Sequence, residues 1–349
     1  YLSFFLDFKE GQINLHSQFD GNEKVQDLIG NNKIWNDEFL VCSEIPFDFG
    51  EQRFVSIGKL NGKYWTAITT KRNNLTIVIE QTELHSLVDI QSHWKKMVNN
   101  WSHKLMENKT DFYADHIFLT TTKLKEFYGN KFPHLARSIL PIVFDPKRFT
   151  YSNIQRSNQI AYLGSFGKKD GVPVLLKAFA KAKMLNSELK LLLIGYQCAD
   201  FDLDKELKAA NLENCEHVTA TGQVKAAEIP RLLGDSDLLV IPRINSEYAN
   251  FGFPIKLGEY MATGHPVVSS NVSDISLYFT NDNDIMLVPP GNPDELADAI
   301  VNRYSFYDQY TEVGLRGKKK AEELFDYKIH VDTIVKVAEK LIHKKTQNR

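Results

Sequence analysis

The stretch NFGFPIKLGEYMATGHPVVSS, residues 250–270, decides how the rest of the chain is read. It follows an apolar run at 238–242, LLVIP, which is too short for most helices and has the composition of a parallel strand buried on both faces. Pro254 suits the first turn of a helix, where its missing N–H costs nothing, and Gly264 stops that helix just before a second apolar strand at 266–269. Residues 255–263 therefore form a short helix that opens at the carboxyl edge of a sheet. Lys256 and Glu259 stand three apart and share a face, with Lys256 in the first turn, where free backbone N–H groups and the helix dipole favour an anion. A ligand with a phosphate beside a diol would use both, the ammonium against the phosphate and the carboxylate accepting two hydroxyl hydrogen bonds. A nucleoside diphosphate fits that description. The plainer reading is an exposed ion pair, worth about a few tenths of a kcal/mol.

The wider pattern, Gly252-Phe253-Pro254 followed by Lys256, Glu259-Tyr260-Met261-Ala262, Gly264 and Pro266-Val267-Val268, resembles the nucleotide-sugar-binding core of the retaining glycosyltransferases of the GT-B fold, family 4 (glycosyl transferases group 1). The resemblance implies that Lys256 contacts the donor diphosphate and Glu259 the ribose hydroxyls. That family often carries a second glutamate eight positions before Glu259, near the transferred sugar. This chain has Phe251 there, so no sugar contact is carried over to that side chain. Asn250 and the backbone of Phe251 and Gly252, with Phe253 beside them, are the nearest donor contacts.

Composition agrees with a globular chain: 349 residues, 43% hydrophobic and 25% charged, are enough for two domains with their own cores. A formal net charge of −2 carries no electrostatic footprint for nucleic acid. Cys42, Cys198 and Cys215 are odd in number and scattered, which argues against a disulfide framework or a structural zinc site and for a reducing compartment. No apolar run approaches the roughly 18 residues of a membrane-spanning helix.

The first third offers strands at 2–8 and 38–43. The stretch around Gly21, DGNEKV at 20–25, resembles the family's glycine-rich loop that approaches donor phosphate and acceptor, with Asn22 in place of one glycine; the plainer reading is an ordinary Asp-Gly turn. Residues 46–62 read as loop and hairpin, and 75–80 as a strand. Glu80 at its end and His85 beyond it are candidates to orient an acceptor, or are structural polar residues at a strand end. Residues 87–106 form an amphipathic helix with an apolar stripe of Leu87, Ile90, Trp94, Met97, Val98, Trp101 and Leu105. That stripe packs on a sheet or, beside several lysines, docks on a membrane surface to reach a lipid-linked acceptor. A strand at 115–120 and a helix at 121–128 follow. Residues 140–146 resemble the family's passage between domains, with a polar linker at 153–158.

After the linker, strands at 160–163, 189–194, 217–220 and 285–288 alternate with helices at 172–184, 205–210, 226–233 and 293–303. Such alternation means parallel βα units, whose ligands bind outside the carboxyl ends of the strands. The loop GSFGKKDG at 164–171 follows the first of these strands. It is neither G-x-G-x-x-G nor a P-loop, which counts against NAD enzymes and ATPases. Gly164 and Ser165 let backbone approach a phosphate, and Lys169, or alternatively Lys168, supplies a second phosphate ligand. The family carries a basic residue after its first glycine and a lysine before its last; here these positions are Ser165 and Asp170. Val224, after the strand at 217–220, falls where family members hold the base through backbone contacts. Residues 243–251 form a loop over the sugar site.

The expected fold is α/β of the GT-B type: two facing Rossmann-like domains, 1–152 on the acceptor side and 153–328 on the donor side, with the last helix, 329–349, crossing back to the first. The implied reaction moves a sugar from a UDP- or GDP-sugar to a hydroxyl of a saccharide or lipid-linked acceptor, with retention and without cofactor or metal, in polysaccharide or glycoconjugate synthesis. Lys256 and Lys169 would stabilise the departing diphosphate, with no protein nucleophile. The expected location is cytoplasmic, with peripheral membrane contact and no nucleic acid partner. A GT-B epimerase, which needs paired acidic residues and a histidine around the sugar, and a non-catalytic binding protein are the rival readings.

Overall fold

The computed structural model describes residues 4–9, 12–17, 43–46, 52–60, 63–70, 77–84, 87, 104, 107–149, 156–198 and 201–347. The turn around Gly21, His85, most of the 87–106 helix and part of the 153–158 linker lie outside them.

The described strands before residue 71 are antiparallel. Strand β1 (Phe4–Lys9) pairs with β2 (Gln12–Ser17), while β3 (Ser43–Pro46), β4 (Gln52–Leu60) and β5 (Lys63–Thr70) make a second sheet. The expected loop and hairpin at 46–62 is mostly β4, whose Leu60 lies opposite Lys63 of β5. A parallel three-stranded sheet follows, made of β6 (Val78–Gln81), β7 (His116–Leu119) and β8 (Ala136–Ile139). Helix α1 (Thr122–Lys131) crosses from β7 to β8, and its cap Thr121 accepts from the Leu124 N–H at 3.2 Å.

The second half is a doubly wound sheet. Its strands are β9 (Gln159–Gly164), β10 (Lys190–Gly195), β11 (Val218–Ala220), β12 (Leu238–Ile241), β13 (Val267–Ser270) and β14 (Met286–Val288). They lie side by side in the order β11-β10-β9-β12-β13-β14, all parallel. The chain order therefore reverses between β9 and β12, the point where ligands enter such sheets. Alternate residues of each strand go to opposite faces. Ile160, Tyr162, Leu191, Leu193, Leu238 and Val240 pack on one side, and Ala161, Leu192, Ile194, Leu239 and Ile241 on the other.

Helix α2 (Val172–Leu185), α3 (Leu203–Ala209) and α7 (Pro293–Ser305) cover the first face. Helices α4 (Ile229–Gly234) and α6 (Lys256–Ala262) cover the second. Between those two, residues expected as loop form α5 (Glu247–Phe251), because Ser246 caps it by accepting from the Ala249 N–H at 3.1 Å.

One long helix, α8 (Tyr307–Phe325), has no counterpart in the sequence reading. Gly314 and Gly317 interrupt its apolar period. Their lack of side chains lets α8 lie on backbone: a Cβ on Gly314 would stand 2.4 Å from the Gly264 carbonyl oxygen, and one on Gly317 2.4 Å from that of Asp284. The final helix, α9 (Tyr327–Gln347), starts where the Tyr327 N–H donates to the Phe144 carbonyl at 3.2 Å.

The two halves are joined across the cleft by packing and by hydrogen bonds. Phe251, 6% exposed, inserts its ring into the first-domain core beside Leu84, Leu119 and Leu124, and meets Phe127 edge-on at 5.8 Å. Its carbonyl accepts from the Thr121 hydroxyl at 3.0 Å. Asp274 accepts from the Thr122 N–H at 2.6 Å and its hydroxyl at 2.7 Å, so a second-domain carboxylate sits on the amino end of α1.

Gly171, which caps α2 at φ +69°, is the tightest point of the 164–171 loop, since a Cβ there would overlap the Pro242 carbonyl oxygen. Gly171→Ala should therefore cost at least about 2 kcal/mol, the left-handed backbone penalty plus the clash. Urea unfolding measures it, and a loss below about 1 kcal/mol would mean that the loop is not held against the Pro242 carbonyl.

Candidate active site

The carboxyl ends of β9 and β12 bring together a crevice of charged side chains. Tyr260 of α6 accepts from the Leu163 N–H at 2.7 Å, which ties the helix bearing Lys256 and Glu259 to the end of β9. Lys256 Nζ then lies directly over Gly164, 2.7 Å from where a Cβ would be, so any other residue at 164 would push the ammonium away. It is 3.6 Å from Asp170 and 4.6 Å from the centre of the Tyr162 ring. Burial pushes the Lys256 amine below its usual range; Asp170 opposes this, and Arg243 and Lys169 add to it. Asp170 shows the reverse balance. Burial pushes its carboxyl up, but Lys256, Arg243, Lys169 and the Gly167 N–H at 3.3 Å together hold it below the ordinary value.

Lys169 points into the crevice, whereas Lys168 is exposed. Burial lowers the Lys169 amine, Glu83 raises it and Arg243 lowers it further. Arg243, 5% exposed, donates to the Gly252 carbonyl at 2.9 Å, and its Nε is buried without a partner. The loop around these groups is held in an uncommon conformation. Phe166 is fully buried at φ +53° and packs on Tyr162 and Phe201. A non-glycine residue in that region persists only where its surroundings impose it.

Glu259 is half-buried and makes no hydrogen bond or ion pair with a described residue. Burial pushes its carboxyl up, offset by Arg148 and Lys256. A desolvated carboxylate without a donor is poised to accept from one that arrives with a ligand.

The remaining expected contacts surround this centre at different depths. Gly164 lies beneath the Lys256 ammonium, the Ser165 carbonyl accepts from the Cys198 N–H at 3.0 Å, and Val224 is partly buried against the sheet. Asn250 donates to Asn245 at 2.9 Å and accepts from the Ser273 N–H at 3.3 Å. Phe253 is buried against Tyr278 and Phe325, so it and Phe251 offer only backbone to the crevice. Glu80 lies within β6, paired in register with Phe118.

Sequence reasoning passed over Arg243, Tyr248 and Glu83, and treated Asp170 only as a departure from a family pattern. Arg243 follows the strand run LLVIP, and a lone arginine at the carboxyl end of a buried strand was the available signal. Among the described residues no cluster of His, Cys, Asp and Glu is placed to hold a metal ion, and no helix is long and apolar enough to cross a membrane.

Comparison with known proteins agrees with this architecture. Residues 157–305 match the family described as "Glycosyl transferases group 1". An Amylovoran biosynthesis glycosyltransferase, AmsK, of Erwinia amylovora is 28% identical over 50% of this chain and 42% of its own. A lipopolysaccharide 1,2-N-acetylglucosaminetransferase of Salmonella typhimurium is 25% identical over 60% of this chain and 58% of its own. The chain thus spans about half the length of these relatives. In structure, Anabaena Alr3699/HepE in complex with UDP-glucose superimposes with a TM-score of 0.61 at 17% identity, over 76% of this chain and 72% of that one. The fold is GT-B, and the doubly wound half is similar to the group 1 glycosyltransferases over residues 157–305.

Outside the crevice, Glu80 invites a stability measurement. Burial pushes its carboxyl from 4.5 up to about 7. A folded pKa above the unfolded one means stability that is complete below about pH 4.5 and is lost as pH rises through about 7. Glu80→Gln should flatten that decline and stabilise the protein by up to about 3 kcal/mol above pH 7. Parallel pH profiles of the two proteins would refute this if both fall alike between pH 4.5 and 7.

Proposed function

We propose that the chain is a retaining glycosyltransferase that moves a sugar from a nucleotide diphosphate sugar to a hydroxyl of a saccharide or lipid-linked acceptor, in polysaccharide or glycoconjugate synthesis. The observation that carries this reading is the convergence of Lys169, Lys256 and Arg243 at the β9–β12 switch point, beside a half-buried Glu259 that lacks a hydrogen-bond donor. Cations there answer a diphosphate, and Glu259, three residues along the same helix, answers the ribose diol.

In this reading Lys256 and Lys169 neutralise charge that grows on the leaving diphosphate as the glycosidic bond breaks. Arg243 acts through the Gly252 carbonyl that it holds, fixing the 243–252 segment over the sugar. The base is held by backbone contacts near Val224. The acceptor enters from the first domain, where Glu80 lies on a parallel strand. Attack on the same face as the departing diphosphate retains configuration and needs no protein nucleophile. The HepE complex with UDP-glucose supports a UDP-sugar as the first donor to try. The proposed location is cytoplasmic, at the inner face of a membrane when the acceptor is lipid-linked.

Calorimetric titration with UDP, GDP and ADP tests the donor site. One nucleotide should bind, and Lys256→Ala and Glu259→Ala should each weaken it by tenfold or more, about 1.4 kcal/mol. Thermal unfolding of each variant checks the fold. Release of free nucleoside diphosphate from the matching sugar nucleotide in the presence of acceptor separates a transferase from a binding protein or an epimerase. Binding of none of the three nucleotides would remove the donor site.

A further inference from the structure

The first domain sends one carboxylate into the cation crevice. Glu83 follows β6 at the carboxyl edge of its sheet, and its two oxygens are divided between two second-domain groups. Oε2 lies 2.6 Å from Lys169 Nζ, and Oε1 accepts from the Tyr248 hydroxyl at 2.8 Å. The same ammonium stands 4.0 Å from the centre of the Tyr248 ring. Oε2 is also 3.1 Å from the place a Cβ would take on Gly252, so the carboxylate rests against the turn leading into α6. The Glu83 and Lys169 side chains are only 23% and 20% exposed, so water screens the pair less than it would a surface salt bridge.

A carboxylate oxygen and a phosphate oxygen make the same kind of charge-assisted hydrogen bond to an ammonium. A desolvated lysine beside Arg243 and Lys256 needs such an anion whether or not a nucleotide is present. Within the second domain Asp170 answers Lys256 and adds a smaller attraction to Lys169, whose contact carboxylate comes from across the cleft.

We propose that Glu83 is a tethered stand-in for the donor's phosphate: without nucleotide it occupies Lys169 and draws the two domains together, and the diphosphate displaces it to reach that cation. This rests on the donor-site reading above and adds a regulation to it. Two anions do not share one ammonium at contact distance without mutual repulsion, so Glu83 and the nucleotide compete. Tyr248 strengthens the stand-in by holding its second oxygen. Donor entry and release of the inter-domain clasp are then one exchange.

The test is titration of UDP and of GDP into the whole chain carrying Glu83→Gln or Tyr248→Phe. If Glu83 competes, its neutral isostere binds the nucleotide roughly fivefold more tightly, the gain expected when about four in five molecules hold Lys169 occupied. Tyr248→Phe should shift affinity in the same direction by less, and Glu83→Gln should bring no gain when introduced into a Lys169→Met chain, compared with Lys169→Met alone. Equal or weaker binding by Glu83→Gln overturns the proposal, because a purely structural clasp or a direct ligand would give that result. Should wild type bind in a manner dependent on Lys256 and Glu259 while Glu83→Gln brings no gain, the stand-in alone fails. If no nucleotide binds any of these proteins, the donor site fails and the stand-in falls with it.

Discussion

Lys169, Lys256 and Arg243 repel one another in a crevice that excludes much of the water that would screen them, and the surrounding structure has to offset that repulsion. Like charges a few ångströms apart at an effective dielectric near 20 interact by several kcal/mol. Loss of hydration on burial lowers both lysine amines, and repulsion from Arg243 lowers them further. Asp170 and Glu83 are the local answers, one from each domain. A bound diphosphate would answer all three cations at once, so a crevice that is costly without a ligand is well matched to one.

Holding such a centre requires rigid attachment. The Leu163 N–H to Tyr260 bond fixes α6 against β9, and the Gly171 cap fixes the 164–171 loop against β12. Both contacts are made by strand ends already locked by a core on each face of the sheet. The energy that keeps the cations together thus comes from apolar burial well away from them. Phe166, buried in the left-handed region, marks where the loop gives up backbone comfort to place Lys169 and Asp170.

The doubly wound half was legible because its elements obey local rules: short apolar strands, proline near helix starts, glycine after helix ends. Lys256 and Glu259 were legible for the same reason, since three-residue spacing fixes a shared helical face. Helix α8 was not, because Gly314 and Gly317 resemble breakers until one knows which carbonyl oxygens they lie on. Arg243, Glu83 and Tyr248 escaped for a different reason. Glu83 and Tyr248 meet across 165 positions, and Arg243 reaches the Gly252 carbonyl over nine residues that the sequence presents as loop. Phe251 could be read only as a missing glutamate, whereas its ring is the second domain's insertion into the first-domain core.

That insertion bears on how the cleft works. Phe251 ends α5, Gly252 follows, and Lys256 opens α6, so four residues lie between a first-domain anchor and a cation of the crevice. Thr121 on the Phe251 carbonyl and Asp274 on the amino end of α1 hold the same junction from either side. A rotation of one domain against the other would have to move Phe251, and with it the Gly252 carbonyl that Arg243 holds. Inter-domain packing and the geometry of the cations are therefore mechanically one assembly, and a change in charge at the crevice is transmitted to the domain junction through a short, buried stretch of backbone.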